Sequence, residues 1–471
     1  MSVFFFWAEW KRQLLYSYLI WILERKMRGL HMTDFSTEVL KELDHKISKL
    51  DRLKAVDHLI SDEGRDFTRD RKLLFPDMIK TIPSMAGKPV REELLDHFDY
   101  SADSATASAF VQARSKIEPE AFRCLFDMMN KEYPCIKTFK GYHLIAVDGS
   151  DLAISYNQQD EETYLIKGTD TKGCNLYHIN AAYDILENRY TDMILTTRVH
   201  EGEQASLITM AERCPEKKCI LIADRGYPTW NVMEHIIRSG RHFLFRCKDI
   251  NSYTSLLSRF NLPDKEFDLD VSTILTTSQT DKVKANPAKY RFLSSKSVFD
   301  YVDKEHQFYT VHYRTVRFKL DGSDEYESII TDLPRDKFNT VTIKKLYEMR
   351  WGIETSFRNL KYSADLSTQH AKKRKSIQQE IWARLILYNL SFIIIHHIWE
   401  KSSKGRKKYR YAINKTRAIH LVRQALGRRK GGHPPDLEAL VKAELLPVRP
   451  GRSDLRKIEP HSFVCFNYRF S

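Results

Sequence analysis

The sequence predicts an α/β protein built round a mixed sheet, with helical segments before and after it and a β-rich insertion within it. Three observations lead there. From residue 143 the pattern runs strand, strand, strand, helix, strand, helix, strand, and adjacent strands followed by alternation make a mixed sheet. The flanking stretches carry helical periodicity, interrupted by Gly, Pro and Asp/Ser clusters. Residues 248–335 are rich in Thr, Val, Tyr and Phe, with turn pairs at Asn286-Pro287 and Asp321-Gly322.

Residues 1–32 contain two apolar aromatic runs, Val3 to Trp7 and Leu14 to Leu23, interrupted by Glu9, Lys11 and Arg12. Neither run is long enough to span a membrane, and the charges lie on the wrong side for a signal peptide. Two readings stand: an amphipathic membrane or partner helix, or an upstream extension with Met32 as the working start. Residues 33–138 read as a helical DNA-binding domain. Helical periodicity covers 34–62, and three helices are expected near 73–84, 89–98 and 105–116. Short helices with tight breaks suit a helix-turn-helix reader. The segment Ala105 to Lys116, with small residues plus Gln112, Arg114 and Lys116, would be its groove helix. A plain helical bundle fits the same pattern.

The first part of the core covers 139–247, with strands near 143–148, 176–185, 190–198, 218–223 and 241–247. Helices lie between them at Glu203 to Arg213 and Thr229 to Ser239. The insertion covers 248–335. The second part of the core, 336–370, carries one more helix. A basic region, 371–471, begins with a long apolar helix from Ile377 to Trp399. Its run Ser391 to Ile395 is too short to span a membrane and reads as core.

The chain is long enough for two to four domains and a large core. Its net charge of +14 favours a polyanionic partner. The excess is local: Ala371 to Ser471 holds 23 Lys and Arg against 7 Asp and Glu. Basic clusters there interleave with Tyr409 and Tyr411, which fits binding to a nucleic-acid backbone; a basic tail kept for solubility is the plain alternative. Seven scattered cysteines with no C-x-x-C spacing argue against a zinc site or a disulfide scaffold and fit a reducing cytoplasm.

Chemistry concentrates in three places. Tyr347, Arg350, Glu354 and Lys361 follow the spacing Y-x2-R-x3-E-x6-K. At about 100° per residue they fall at roughly 0°, 300°, 340° and 320°, one narrow helical stripe. Leu346, Met349, Ile353, Phe357 and Leu360 make an adjacent apolar stripe that can fix the helix on a core. Cations and a phenol round a carboxylate suit a phosphodiester beside a metal ion, although a charged, solvated helix face has the same pattern. Two apolar runs, His143 to Asp148 and Cys219 to Asp224, each end in Asp with a glycine close behind, which would put a carboxylate at the rim of a sheet. Three converging carboxylates repel unless divalent cations relieve them, the arrangement used in two-metal phosphoryl transfer. Asp151 is a rival ligand, but on a strand it faces away from Asp148.

These motifs resemble those of DDE transposases of insertion sequence family 4. Val147-Asp148-Gly149-Ser150, Ile222 to Tyr227, and Leu346 to Lys361 resemble the three motifs, and Phe67 to Leu73 resembles a segment near the start. The likeness begins near residue 60, which favours the upstream-extension reading of residues 1–32. It implies a ribonuclease H-like core, with Asp148 bridging two Mg2+ ions (Mn2+ can substitute) and Asp224 and Glu354 holding one each. It further implies DNA contacts by Tyr347, Arg350 and Lys361, and cleavage and strand transfer at terminal inverted repeats into target DNA. A dimer on paired ends, and a location on the bacterial nucleoid in the cytoplasm without membrane contact, complete the expectation. A nuclease without strand transfer and an inactive DNA-binding derivative are the alternatives. Related enzymes hold a flipped base on a Trp in the insertion; this insertion has none, leaving Tyr301, Tyr309 or Tyr313 for that stacking role.

Overall fold

The computed structural model describes residues 35–166, 173–197, 202–402, 411–427 and 435–448, apart from 259, 288, 296, 304 and 321. The expectations for residues 1–32, and for the basic clusters at 403–410 and 428–430, lie outside these residues.

Among the described residues five helices precede the sheet: α1 (Phe35–Leu53), α2 (Phe75–Ser84), α3 (Val90–His97), α4 (Ala107–Arg114) and α5 (Glu120–Glu132). In α1, Val39, Leu43, Ile47 and Leu50 recur at helical spacing and are buried. Thr106 caps α4 by accepting a hydrogen bond from the Ala109 amide. Helix α5, begun by Pro119, is additional to the three expected between residues 67 and 135.

The central region alternates as β1 (His143–Ile154), β2 (Tyr164–Leu165), β3 (Cys174–Asp184), β4 (Arg189–Thr196), α6 (Glu203–Arg213), β5 (Cys219–Ala223), α7 (Trp230–Arg238) and β6 (His242–Cys247). The insertion follows as β7 (Phe267–Thr276), α8 (Asp281–Lys284), β8 (Tyr290–Phe292), β9 (Phe308–Lys319) and β10 (Tyr326–Thr331). It does not stand apart. One ten-stranded sheet runs β2-β3-β1-β5-β6-β10-β9-β7-β8, with β4 also paired to β3. Strand β10 pairs antiparallel with β6, Ser328 opposite Cys247. The mixed character arises because β1, β5 and β6 are mutually parallel while β3 and β10 run against them.

After the sheet come α9 (Thr340–Met349), α10 (Trp351–Arg358), a π-helical turn (Asn359–Ser363), α11 (Arg374–Ser402), β11 (Tyr411–Ile413), α12 (Lys415–Gly427), α13 (Leu437–Ala443) and β12 (Leu445–Pro447). Helix α11 is long and apolar enough to cross a membrane, but 89% of its most apolar window is buried inside the protein. It is apolar all round because it is surrounded, as a core helix must be.

The sheet is covered on both faces. One face packs on α6 and α7 through Ile145, Val147, Leu221 and Ala223. The other packs on α9 through Leu144, Ile220 and Ile222, and on α10 and α11 through Ala146, Leu152 and Ile154. All eleven residues of β3 are buried. Helices α1–α5 share a single core with α11, α12 and α13, so the helices before the sheet and those after it meet in one helical body. Buried polar groups of α11 fasten it there: Arg384 donates to Met85 O at 2.7 Å, and Asn389 binds both the N–H and the C=O of Tyr190.

Candidate active site

Strand register brings the first two carboxylates together. Ala146 of β1 lies opposite Ile222 of the parallel strand β5. Two residues on, at the next position of the same face, come Asp148 and Asp224. The rim expected at Asp148 is not the end of its strand: β1 continues to Ile154, paired with β3 alone. Asp148 sits where the parallel partner stops, which opens the sheet on one side of it. Gly149 answers to a close approach rather than a turn, since a Cβ there would meet the His178 ring at 2.4 Å.

The third carboxylate arrives from above. The expected single helix is broken: Arg350 separates α9 from α10, and the last turn widens into the π segment. Tyr347 on α9 donates its hydroxyl to Asp224 Oδ1 at 3.0 Å. Arg350, with only 3% of its side chain exposed, donates to Glu354 Oε1 at 2.9 Å and lies 3.8 Å from Asp148 Oδ2. Asp148, Asp224 and Glu354 therefore border one space, with Arg350 between the first and the third. Lys361 in the π segment reaches Ser150 Oγ at 2.8 Å and the Asp151 carbonyl at 2.7 Å. The residue reaching the site from that turn is bound to the strand next to Asp148. The Asp151 side chain faces the other way, as expected, and its carboxylate pairs with His178 at 2.8 Å.

The electrostatics follow from burial. Desolvation raises the Asp148 carboxyl to about 6; the Gly149 amide and Arg350 pull it down, and the charges of Glu354 and Asp224 push it up again. Burial likewise raises Tyr347 and lowers Lys361. Two buried donors here lack an acceptor among the described residues, Arg350 Nε and the Tyr227 hydroxyl.

Four participants were not singled out from the sequence. Arg246 on β6 lies 3.7 Å from Asp224 and bonds Glu327 of β10 at 2.9 Å, extending the row of charges across four neighbouring strands. Each is a lone charge inside an apolar strand, which was the available signal. Tyr227 is the third. His178 is the fourth, held between Asp151 and Glu203 on the opposite face. Burial opposes its charge, but the two carboxylates outweigh it and hold the imidazole up to about 9.

The stacking role expected of the insertion tyrosines meets a different arrangement. Tyr313 is buried, stacked on Trp230 and bonded to Glu234 at 2.6 Å. Tyr309 bonds Glu234 and Arg238, and Arg238 lies 4.1 Å over the Tyr301 ring. All three rings fasten the insertion to α7.

Oxygen donors of this kind suit a hard divalent cation. As they stand, no three His, Cys, Asp or Glu side chains among the described residues are gathered closely enough to hold one. Arg350 occupies Glu354, and Tyr347 occupies Asp224.

A family model described as the transposase DDE domain matches residues 139–390, more than half of the chain. The chain belongs to the transposase DDE domain family. No curated protein matches it significantly. Among solved structures, this DDE-domain chain is similar to one titled as a cryo-EM structure of the piggyBac transposase synaptic complex with hairpin DNA. The identity is 11%, over 91% of this chain and 86% of that one, with a TM-score of 0.43. That likeness is too distant to argue from.

Proposed function

We propose that this DDE-domain protein is the transposase of a bacterial insertion sequence of family 4 type, cutting and rejoining DNA at the element's inverted terminal repeats. The observation carrying this reading is the convergence of Asp148, Asp224 and Glu354, from two parallel strands and the helix above them, on one space bordered by Arg350. The strand order, three antiparallel strands followed by two parallel ones, supports a ribonuclease H-like core. In this reading Asp148, Asp224 and Glu354 hold two Mg2+ ions, and a dimer holds paired ends. Bound ions of that kind polarise a phosphodiester and activate water or a DNA 3′-hydroxyl.

The chain's own groups prepare this. Arg350 keeps two carboxylates from repelling one another until the ions arrive, and Tyr347 orients Asp224. Arg350 Nε and the Tyr227 hydroxyl, buried without acceptors, suit phosphate oxygens. Tyr347, Arg350 and Lys361 already have protein partners, so their expected contacts with DNA involve an exchange of those partners.

The test is cleavage and strand transfer on DNA bearing the element's own ends, with Mg2+. Asp148→Ala, Asp224→Ala and Glu354→Ala should each abolish both steps while leaving DNA binding nearly intact. A variant that cuts at the parental rate removes that residue from the assignment. Cleavage without joining in the parent protein returns a nuclease.

A further inference from the structure

We propose that Cys214 and Cys219 form a redox-responsive pair: a small peroxide entering the cavity beside them oxidises Cys214, and Cys219 then closes a disulfide onto it. Their sulfurs lie 3.9 Å apart, across the turn that joins α6 to β5. A disulfide needs a separation of about 2 Å, so the sulfurs must approach by roughly as much again. Cys219 is fully buried at the start of β5, opposite His143 of β1. Cys214 follows the last residue of α6 and is only partly buried. The turn between them is therefore the part that yields, and the sheet is not.

Cys214 borders a cavity of about 520 Å3 that is also lined by Arg123 and Lys131 of α5, His143 of β1 and Arg213 of α6. A peroxide is little larger than water and fits such a space. The surrounding groups make the two sulfurs unlike. Arg241 is buried and donates to the carbonyls of Ser239 and Cys214, while its Nε has no acceptor among the described residues. The Cys219 S–H lowers the Cys214 thiol most; burial opposes it, and the Arg241 charge adds to the lowering. The same hydrogen bond, together with burial, raises Cys219. One sulfur is thus prepared as a nucleophile and the other kept as a thiol. His143, between Asp184 at 3.6 Å and Glu216 at 3.5 Å, is raised chiefly by Asp184 and puts a proton donor on the cavity wall.

The Cys214 thiolate attacks one peroxide oxygen, the O–O bond breaks, and the departing hydroxide takes a proton and leaves as water. Cys214 is now a sulfenic acid. The Cys219 sulfur attacks it, the S–O bond breaks, and the Cys219 proton leaves with the hydroxyl as a second water. The two sulfurs together lose two electrons and the peroxide gains them. In a reducing compartment such a bridge is transient and responds to oxidant, unlike a structural staple.

The test needs neither DNA nor metal, so it stands apart from the transposase reading. The reduced full chain is treated with equimolar hydrogen peroxide at neutral pH, quenched in acid to stop exchange, and mapped as peptides by mass spectrometry. A Cys214–Cys219 linked peptide should appear, reversible by dithiothreitol. It should form on the order of tenfold faster than Cys124 is oxidised, because burial raises the Cys124 thiol. Cys219→Ala should stop at a sulfenic acid on Cys214, captured by dimedone, and Cys214→Ala should leave Cys219 reduced. If Cys214 stays a thiol, bridges to another cysteine, or is oxidised no faster than Cys124, the pair is overturned. The parental map decides this even where a variant fails to fold.

Discussion

Arg350 is the residue on which the site turns. It is nearly buried and holds Glu354 while standing beside Asp148, so it acts as a counter-ion inside the protein. Arg350→Ala should cost about 1.5–3 kcal/mol, the range for a hydrogen bond to a charged group. It should also raise the stabilisation that added Mg2+ gives, because the carboxylates then need an external cation. Melting temperatures with and without Mg2+ check this; equal shifts in parent and variant would remove Arg350 from the counter-ion role. Gly149 offers a second test. A methyl there meets the His178 ring, so Gly149→Ala should cost about 1–3 kcal/mol of overpacking and displace Asp148. Denaturant unfolding measures the first effect and the cleavage rate the second. Asp148, Asp224 and Glu354 could be named from sequence because each follows or lies beside an apolar pattern of clear period. Arg246 and Glu327 could not, because their proximity depends on how β6 and β10 pair, across about 80 residues of intervening chain.

At the scale of elements, β3, β4, β5 and β6 were legible to within about two residues of their ends, since their apolar runs are short and bounded by turns, whereas β1 runs on past Asp148 to Ile154 and β2 (Tyr164–Leu165) was not expected. The join between the insertion and the main sheet was not, because alternation reveals a strand and not its neighbour. Nor did period reveal the break at Arg350 or the π turn, which places Lys361 on Ser150. Helix α4 shows tertiary structure overriding a surface reading. Arg114, expected to face DNA, is buried and bonded to Gln379 and Glu380 of α11. Burial works against the Glu380 charge, yet Arg114 and then His370 outweigh it and hold the carboxyl well below its ordinary value. A depressed carboxyl stabilises the fold above its unfolded value, near 4.5, and loses that contribution as pH falls below it. Glu380→Gln should therefore flatten the loss of stability below about pH 4.5, read from urea unfolding at several pH values. Glu380→Ala should cost about 3–5 kcal/mol at neutral pH, because Arg114 is left buried and unpaired.

For the whole molecule, the division expected between residues 33–138 and 371–471 is a division of the chain and not of its packing. Their helices bury one another's apolar faces. Removing everything after residue 370 should thus unfold α1–α5, detectable as lost helical circular dichroism and rapid proteolysis, and not merely weaken DNA binding. A truncated protein that keeps its helical signal and cooperative melting would contradict this. The same shared core has a consequence in time. At about 5–20 residues per second, the ribosome needs roughly 10–50 seconds to travel from the end of α5 to the start of α11. Through that interval the apolar faces that α1, α2 and α5 turn toward α11 have no permanent partner, and Lys375 has not yet met Ser61, which it bonds in the folded chain. Helices α1–α5 can settle fully only when α11–α13 emerge, so a nascent chain would carry an exposed helical surface through much of its synthesis, and chaperones that cover such surfaces would set its yield.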